Sequence, residues 1–236
     1  MPQSYFIWNG FDCRSKGIIQ RGPAAIIRPE ERVEHVTIPG RSGDLTMTEG
    51  EDIYNSYIQT VSISVKGGYR VREIFKWLRG SGYVTFSGEP DRRQKARVIG
   101  VITLNRISRN MDHWAGEVQF YCQPLKEWIQ EETITLGASD TVRNAGDVDA
   151  KPLWKVIPSG TSVTLKVNGK DFVITGTTSG TAILVDSDVQ EVTDATRTTL
   201  LTKNSTGGFP VLHPGANTIA GSGWSSIELT KRERFL

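Results

Sequence analysis

The sequence has few cysteines and no long apolar run, which excludes several classes of protein at once. Only Cys13 and Cys122 occur in 236 residues, and neither belongs to a Cys-x-x-Cys pair. We therefore expect two free thiols, with neither a disulfide framework nor a zinc knuckle. No apolar run approaches the ~20 residues that cross a bilayer, and the first residues lack the pattern of a secretory signal. Synthesis in the cytoplasm and no membrane partner are expected.

Motifs for catalysis and metal binding are also missing. There is no Gly-x-Ser-x-Gly elbow, and Gly169-Lys170 is followed by Asp171, which breaks the phosphate-loop pattern. A glycosidase or peptidase has only scattered acidic residues in its favour, such as Asp186 and Asp188. The histidines each stand alone, without partners at ligand spacing: His35, His113 and His213. We expect no catalytic residue, no metal site and no cofactor, and hence a protein that is not an enzyme.

The charge balance gives no sign of a nucleic-acid partner. The net charge is +2, from 28 basic and 26 acidic residues. The split is uneven, with 17 basic and 13 acidic residues through Pro124 and 11 and 13 afterwards, which gives +4 and −2. A nucleic-acid-binding domain would be strongly basic, with its charges clustered on one face. Specific nucleic-acid binding is therefore not expected.

The residues that are abundant are typical of short strands joined by tight turns. Hydrophobic residues make up 37% and charged residues 23%, with 24 glycines and 10 prolines. This composition indicates a soluble, turn-rich protein made mainly of strands. A chain of 236 residues can bury one large core or two modest ones, so its size allows two domains.

The first half shows the two-residue period of half-buried strands. Val61, Ile63 and Val65 alternate with serines, which predicts a strand with one buried face. The same alternation from Trp114 onward places Cys122 in the core, as a packing residue and not as a nucleophile.

One helix of about ten residues is predicted after the first of these strands. Its apolar residues recur at a spacing of three or four, and glycines follow where a helix would stop. The apolar residues are Val71, Ile74, Phe75 and Leu78, and the glycines are Gly80 and Gly82. Trp77 lies beside the basic face of this helix. Two interpretations stay open for it: contact with a second subunit, or packing at an edge of its own domain.

A tight turn at residues 38–45 opens a polar stretch. Pro39 fixes its own φ, and Gly40 and Gly43 can adopt positive φ values, so the chain is expected to reverse here. The residues that follow, as far as Tyr57, contain too few apolar side chains to anchor a core segment. They predict either a solvated loop within one domain or an arm that lies on a neighbouring copy.

A basic run from Arg92 to Lys95 is expected in a turn between strands at 83–87 and 98–107. Such a cluster forms a solvated tip, meets an acidic partner surface or grips phosphate, and the last of these is the least favoured here.

The second half is expected to follow a connector and to consist of short strands. Residues 125–136 mix apolar and charged side chains, and threonine, serine and glycine dominate after residue 150, so a domain boundary is expected within 125–150. Alternation on both sides of Asn168-Gly169 predicts a hairpin with a two-residue turn. Further short strands at 183–185, 189–192 and 227–229 favour a small antiparallel sandwich.

The order of these segments resembles that of the distal tail proteins of long-tailed, siphovirus-type bacteriophages. The matching motifs occur in the family's order and extend over nearly the whole chain, with a looser fit in the second half. They are Trp8-Asn9-Gly10, Ile38–Gly43, Ile74–Gly80, Phe86–Pro90, Lys95–Val98, Phe120–Pro124, Asn144–Gly146, Lys151–Leu153 and Phe209–Asn217.

This resemblance implies a mainly β fold with two domains. Residues 1–124 would form a ring-building β-sandwich with one α-helix, related to tail-tube proteins. Residues 125–143 would connect it to residues 144–236, an outward-facing, galectin-like antiparallel β-sandwich. Members of the family assemble as a hexameric hub between the tail tube and the tail-tip complex or baseplate, and in many phages the outer domain carries receptor-binding proteins.

For this chain, the resemblance implies a structural protein at the distal end of the virion tail, assembled in the host cytoplasm. The implied partners are copies of itself, the tail tube protein, a tail-tip protein and a receptor-binding protein. The residues expected at subunit interfaces come from the polar stretch, the helix and the basic run. They are Arg41, Asp44, Tyr54, Tyr57, Trp77, Arg92, Arg93 and Lys95.

The alternative function is carbohydrate binding, in which the second domain would recognise glycans of the host cell surface. A sugar-stacking aromatic residue would lie on a sandwich face or in a loop. Trp154 and Trp224 are the leading candidates, followed by Phe172 and Phe209. For each of them the competing interpretation is packing in the core.

Overall fold

The computed structural model describes residues 4–48, 50, 52–108 and 111–236, which form two compact units. The first unit contains Met1–Ile129 and Leu236, and the second contains Gln130–Phe235. Strands dominate both units, which confirms the mainly β fold class. The only α-helix among the described residues lies in the first unit.

The first unit contains one antiparallel sheet, one helix and a separate two-stranded ribbon. The sheet has the strand order β2-β1-β7-β8-β10-β6-β3, and β9 also pairs with β10. The strands are β1 Phe6–Trp8, β2 Phe11–Asp12, β3 Ile18–Gln20, β4 Val33–Val36, β5 Leu45–Thr48, β6 Tyr57–Lys66, β7 Ser81–Phe86, β8 Arg92–Ile99, β9 Leu104–Ser108 and β10 Met111–Trp128. The helix is α1 Val71–Trp77, and 3-10 turns span Cys13–Lys16 and Gly68–Arg70.

The core of the first unit follows the alternation seen in the sequence. Val61, Ile63 and Val65 are at most 2% exposed, and Phe120 and Cys122 are fully buried. The ring of Phe120 lies 5.5 Å from that of Phe6 and 5.4 Å from that of Trp8. The predicted strands and the core position of Cys122 are therefore confirmed.

The predicted helix is present, although its stripe is only partly buried. The α-helix has seven residues and follows directly on the 3-10 turn Gly68–Arg70. Ile74 and Leu78 are buried, whereas Phe75 is 40% exposed. The N–H of Leu78 donates to the carbonyl of Ile74 at 2.8 Å and closes the last turn, and the chain then leaves through Gly80 at φ 75°.

Strand β10, with 18 residues, is the longest described element, and its pairing is interrupted near its end. It pairs with β6 along ten residues and with β8 on its other side, where the register shifts between Cys122 and Lys126. Pro124 lies within this shift, as expected for a residue that has no N–H to donate to a ladder.

The basic run is not a turn, which corrects the prediction. Arg92, Arg93 and Lys95 belong to β8, which pairs with both β7 and β10, and the turn precedes them at residues 87–91. Alternate charged side chains can face solvent from a strand, so a run of charges does not by itself indicate a turn. The strand expected at 98–107 is divided between the end of β8 and β9.

The second unit is an antiparallel sandwich of two five-stranded sheets, as predicted. The sheets have the orders β11-β20-β13-β16-β17 and β12-β19-β14-β15-β18, and one core cluster lies between them. The strands of these sheets are β11 Thr133–Leu136, β12 Ser139–Asn144, β13 Leu153–Pro158, β14 Ser162–Val167, β15 Lys170–Thr175, β16 Ile183–Asp186, β17 Glu191–Asp194, β18 Ser205–Thr206, β19 Gly215–Ser222 and β20 Trp224–Thr230. A 3-10 turn spans Thr202–Asn204, and the short strand β21 Arg234–Phe235 lies outside both sheets.

The predicted hairpin with a two-residue turn joins β14 to β15. Asn168 and Gly169 have φ values of 50° and 81°, which is the conformation of a type I′ turn. Nearby, the strand expected at 189–192 begins two residues later, at Glu191, because Val189 lies in the turn before β17 and is 61% exposed.

Residues 125–143, assigned above to a connector, contain regular strands. They hold the end of β10, all of β11 and most of β12. Leu136 and Val142 are buried in the core of the second unit. The alternation is weak here because β11 and β12 are short, with two apolar side chains in β11 and only Val142 in β12.

Replacement of Phe120 tests the core of the first unit. We expect Phe120→Ala to lower the free energy of unfolding of that unit by about 3–5 kcal/mol, because a buried aromatic side chain leaves a cavity. Phe75→Ala, at a 40% exposed position, should change it by less than about 1 kcal/mol. Urea unfolding followed by circular dichroism measures both variants, and equal effects would contradict this assignment of the core.

Candidate interface surfaces

The ribbon formed by β4 and β5 has one apolar face that is open. Its register pairs Glu34 with Met47 and Val36 with Leu45, so these four side chains share a face. Leu45 is 40% exposed and Met47 is 52% exposed. The opposite face contains Val33 and three polar residues, His35, Thr46 and Thr48. The Nδ1 atom of His35 and the Oγ1 atom of Thr46 are 3.2 Å apart.

The predicted reversal of the chain is the turn that closes this ribbon. Gly40 and Gly43 have φ values of 82° and 81°, so both adopt the positive φ for which glycine is suited. Asp44 accepts a hydrogen bond from the hydroxyl of Thr37 at 2.8 Å, and the N–H of Arg41 donates to the carbonyl of Ile38 at 3.2 Å. Arg41 and Asp44 are both exposed.

A β-bridge and two backbone hydrogen bonds hold the base of the ribbon. Glu31 and Tyr54 form a β-bridge, the N–H of Arg32 donates to the carbonyl of Ile53 at 2.8 Å, and that of Asn55 donates to the carbonyl of Glu30 at 2.7 Å. Two acidic residues of the polar stretch, Glu49 and Glu51, lie outside the described residues.

Tyr57 lies inside the first unit and not on the ribbon. Its hydroxyl is 3.0 Å from the amide oxygen of Gln94, to which it donates. Burial raises the pKa of Tyr57 to about 12, and the hydrogen bond with Gln94 acts in the opposite direction. The amide of Gln94 also donates to the carbonyl of Gln123. This network joins β6, β8 and β10.

The cations of β8 have partners within the chain. Arg92 lies 3.2 Å from Glu89, while Arg93 and Lys95 are each 3.5 Å from Glu127. The guanidinium of Arg93 also lies 4.5 Å from the centre of the Tyr83 ring. These contacts offset part of the basic charge of the run, although the Lys95 side chain is still 55% exposed.

The outer face of the sheet presents an apolar and basic surface. The register places Ile58, Tyr121, Arg97 and Ser81 in one row across β6, β10, β8 and β7. Ile58 is 50% exposed and Tyr121 is 41% exposed. A groove of ≈ 500 Å³ runs beside this row, lined by Tyr83, Lys95 and Arg97 among others. We call this surface, defined by Ile58, Tyr83, Lys95, Arg97 and Tyr121, the outer face.

Two residues of the outer face were missed, although a signal for them existed. The alternation that places Phe120 and Cys122 in the core also places Tyr121 on the opposite side of β10. The same argument applies to Ile58, between Tyr57 and Gln59.

The tryptophan candidates differ in position. Trp77 stacks on Phe6 with ring centres 5.9 Å apart and packs against the core of the first unit, so packing at an edge of its own domain is the interpretation observed. Its contact with a second subunit stays a prediction. Trp154 is fully buried, which corrects its candidacy as a sugar-stacking residue, because no face of its ring is accessible. Trp224 is partly buried and packs against the core of the second unit.

The two acidic residues singled out above are bound by arginines. Asp186 receives two hydrogen bonds from Arg232, at 2.6 and 3.1 Å, and Asp188 accepts one from Arg234 at 2.6 Å. Burial pushes the pKa of Asp186 up, but the Arg232 guanidinium outweighs it and the pKa lies below its usual value. Both carboxylates therefore act as structural ion-pair partners.

The described part of the chain has buried thiols and no candidate metal centre. Cys13 and Cys122 are free and buried, and burial raises the pKa of Cys122 to about 12, which makes it a poor nucleophile. No cluster of three or more His, Cys, Asp or Glu residues with metal-binding geometry occurs within residues 4–48, 50, 52–108 and 111–236. Over the same residues, no helix has the length and hydropathy needed to cross a membrane.

Comparisons with known proteins identify the fold. No family model and no curated protein sequence matches the chain. The chain is similar to the crystal structure of the Dit protein of phage SPP1, described as a paradigm of the hub adsorption apparatus in phages that infect Gram-positive bacteria. The two are 21% identical, with 99% of each chain covered and a TM-score of 0.79.

A second solved structure is similar to a lesser degree. It is the phage p2 baseplate in its activated conformation with Sr, and the matching chain is 8% identical, with 96% of each chain covered and a TM-score of 0.50. At these identities the matches show a shared fold. The resemblance to phage distal tail proteins inferred from the sequence is thus confirmed at the level of the fold.

The ion pair of Asp186 and Arg232 predicts a dependence of stability on pH. Because the folded-state pKa of Asp186 is lowered, its contribution is complete above the unfolded pKa near 3.8 and is lost as the pH falls through the folded value. We expect Asp186→Asn to lower the free energy of unfolding of the second unit at pH 7 by about 2–4 kcal/mol. This is slightly less than the cost of breaking an ion pair that is completely shielded from water. Below about pH 5, the free energy of unfolding of the variant should also change less with pH than that of the wild type.

Asp171→Asn is the matched control, because its ion pair with Lys166 is about half exposed and contributes little. Urea titrations at several pH values compare the two variants. An acid dependence in Asp186→Asn equal to that of the wild type would show that this pair does not carry the effect.

Proposed function

We propose that this protein is a structural hub of a phage tail tip, which closes into a ring of six copies and joins the tail tube to the tail-tip complex. The fold shared with the SPP1 hub protein supports the hub role. The observation that carries the ring is the ribbon, whose apolar face is open in the single chain. A two-stranded ribbon is only marginally stable in water by itself, so a surface that covers this face would stabilise it.

A second copy of the chain is the occupant that fits the ribbon. The open face of the ribbon combines Val36, Leu45 and Met47 with one carboxylate, that of Glu34. The outer face of the sheet combines exposed apolar residues with the cations Lys95 and Arg97. The two surfaces are complementary in both hydrophobicity and charge, and contact between them from one copy to the next would close a ring.

Among the interface candidates, the geometry favours those at the surface. Arg41 and Asp44 are exposed in the turn that closes the ribbon, and Lys95 lies on the outer face. Tyr57 and Trp77 would act indirectly, by fixing the strands and the helix behind these surfaces.

In the assembled tail, the first unit would meet the tube protein on one side of the ring and the tail-tip protein on the other. The second unit would project outward and anchor a receptor-binding component. No reaction chemistry is part of this role. Imaging of tails by electron microscopy tests the location directly, because antibody or gold labelling of this chain should decorate only the distal end.

Substitutions in the ribbon test the ring. We expect the double variant Leu45→Lys/Met47→Lys to remain folded but to lose the six-membered assembly, because two charged side chains would replace the apolar contact and would meet Lys95 and Arg97 of the next copy. Native mass spectrometry and electron microscopy measure the stoichiometry. Val101→Lys, at a position that is 91% exposed and remote from the ribbon in sequence, is the matched control and should assemble as the wild type does. Rings of unchanged size in the double variant would refute the ribbon contact.

Charge exchange tests which surface receives the ribbon. Lys95→Glu/Arg97→Glu should weaken assembly at least tenfold, because like charges would meet Glu34 of the next copy. Adding Glu34→Lys to the same chain should restore part of the lost affinity. Lys203→Glu, an exposed cation in the second unit, should have no effect. If Glu34→Lys gives no rescue, the ribbon does not lie on the outer face.

A further inference from the structure

A pocket of ≈ 330 Å³ opens in the second unit, between the tip of the β14–β15 hairpin and the segment 208–213. Asn168 and Lys170 lie on the hairpin side, and Phe209 and His213 lie on the opposite side. Its volume is at the lower end of the roughly 300–1,000 Å³ found for small-molecule sites. The ring proposed above does not use this pocket.

One buried side chain ties both walls of the pocket together. Asn217 is fully buried, and its amide oxygen accepts hydrogen bonds from the side chain of Asn168 at 2.7 Å and from the N–H of His213 at 2.8 Å. Its amide nitrogen donates to the carbonyl of His213 at 2.7 Å. The side-chain oxygen of Asn168 in turn accepts from the N–H of Thr218 at 2.9 Å. The walls are therefore held in place before any ligand arrives.

The segment that forms the second wall passes very close to β15. Gly207 has φ 103°, and a Cβ atom at this position would lie 2.3 Å from the carbonyl oxygen of Asp171. Only glycine permits this approach, which brings the ring of Phe209 to 4.8 Å from that of Phe172. The base of the pocket is consequently apolar and aromatic.

The rim of the pocket is polar and carries both signs of charge. The carboxylate of Asp149 lies 2.8 Å from Nδ1 of His213, with side chains 41% and 54% exposed respectively. Lys170 is exposed and makes no ion pair within the part of the chain described. The rim thus offers acceptors at Asp149 and donors at Lys170, on opposite sides of an aromatic base.

These properties select the class of ligand. An anion would meet the carboxylate of Asp149, and a cation would meet Lys170. A wholly apolar ligand would cover these charged groups without giving them hydrogen bonds, which is costly. A neutral ring with one C–H face and hydroxyls around its edge fits the aromatic base and both charged residues of the rim. Its C–H face can lie on Phe209, while its hydroxyls donate to Asp149 and accept from Lys170.

We propose that this pocket binds a single neutral sugar ring, with Phe209 as the aromatic platform and Asp149 and Lys170 as the polar contacts. Of the four aromatic residues considered from the sequence, Phe209 is the partly buried one that lines a pocket with charged side chains at its rim. The inference does not rest on ring formation, since every residue of the pocket belongs to the second unit of one chain.

Titration of the full-length protein with free monosaccharides tests this proposal. Glucose, galactose, N-acetylglucosamine, N-acetylgalactosamine and rhamnose are added one at a time, with inorganic phosphate as a separate arm. Saturation-transfer NMR detects binding, and amide shifts of Asn168, Gly208 and His213 locate it. We expect at least one sugar to bind in the millimolar range, with no binding of phosphate. Phe209→Ala and Asp149→Ala should each weaken the affinity at least tenfold.

Controls separate loss of contact from loss of fold. Tyr69→Ala removes an aromatic side chain that is 77% exposed in the first unit, and it should leave the affinity unchanged. If Phe209→Ala disturbs the amide spectrum broadly, Asp149→Ala and Lys170→Ala at the exposed rim give the same information. The proposal is overturned if no sugar shifts these amides, if phosphate binds in their place, or if sugar binding survives the rim variants. None of these results would alter the stoichiometry on which the ring depends.

Discussion

The two-residue alternation along β10 is the constraint on which the first unit depends. This strand pairs with β6, β8 and β9, so the side of β10 on which each residue lies fixes the orientation of its neighbours in those strands. Phe120 and Cys122 point inward and build the core, and Tyr121 between them points outward. A shift of the register by one residue would exchange the core with the outer face. The stability of the unit and the composition of its candidate contact surface therefore have the same origin.

The ladder between β10 and β8 is interrupted between Cys122 and Lys126, whereas the pairing of β10 with β6 keeps a single register. Pro124 lies in the interruption, and the side chain of Gln94 reaches the carbonyl of Gln123 there. The hydroxyl of Tyr57, which lies in β6, donates to the side chain of Gln94. A side-chain network thus replaces part of the missing backbone pairing. It also accounts for the polar side chains of Tyr57 and Gln94 in strands that the hydrophobic pattern alone would treat as ordinary.

Local patterns in the sequence predicted the elements whose cause is local. The Asn168-Gly169 turn, the alternation of Val61, Ile63 and Val65, and the reversal at Gly40 and Gly43 each depend on a few adjacent residues. The charged run in β8 was misread as a turn, since its neighbours β7 and β10 supply the ladder that makes it a strand. The pocket of the second unit could not be predicted, because it forms where Gly207 passes Asp171, and these residues are brought together only by folding. Trp154 and Phe209 illustrate the same limit. Both are aromatic residues in the sequence, but only the structure shows that Trp154 is fully buried and that Phe209 lines a pocket.

The ribbon has an implication for how the free protein behaves before its partners are present. Besides its apolar face, it has two strand edges whose outward N–H and C=O groups are not paired by a third strand in the described chain. The threonine-rich β5 is a good template for further strands, with the order Leu-Thr-Met-Thr. Chains whose ribbon is not yet covered by a neighbouring copy are therefore open to a competing growth reaction, in which they add edge to edge and form aggregates that do not close. Rapid capture by tail components, or synthesis in step with them, would keep the pool of free chains below the level at which such growth begins.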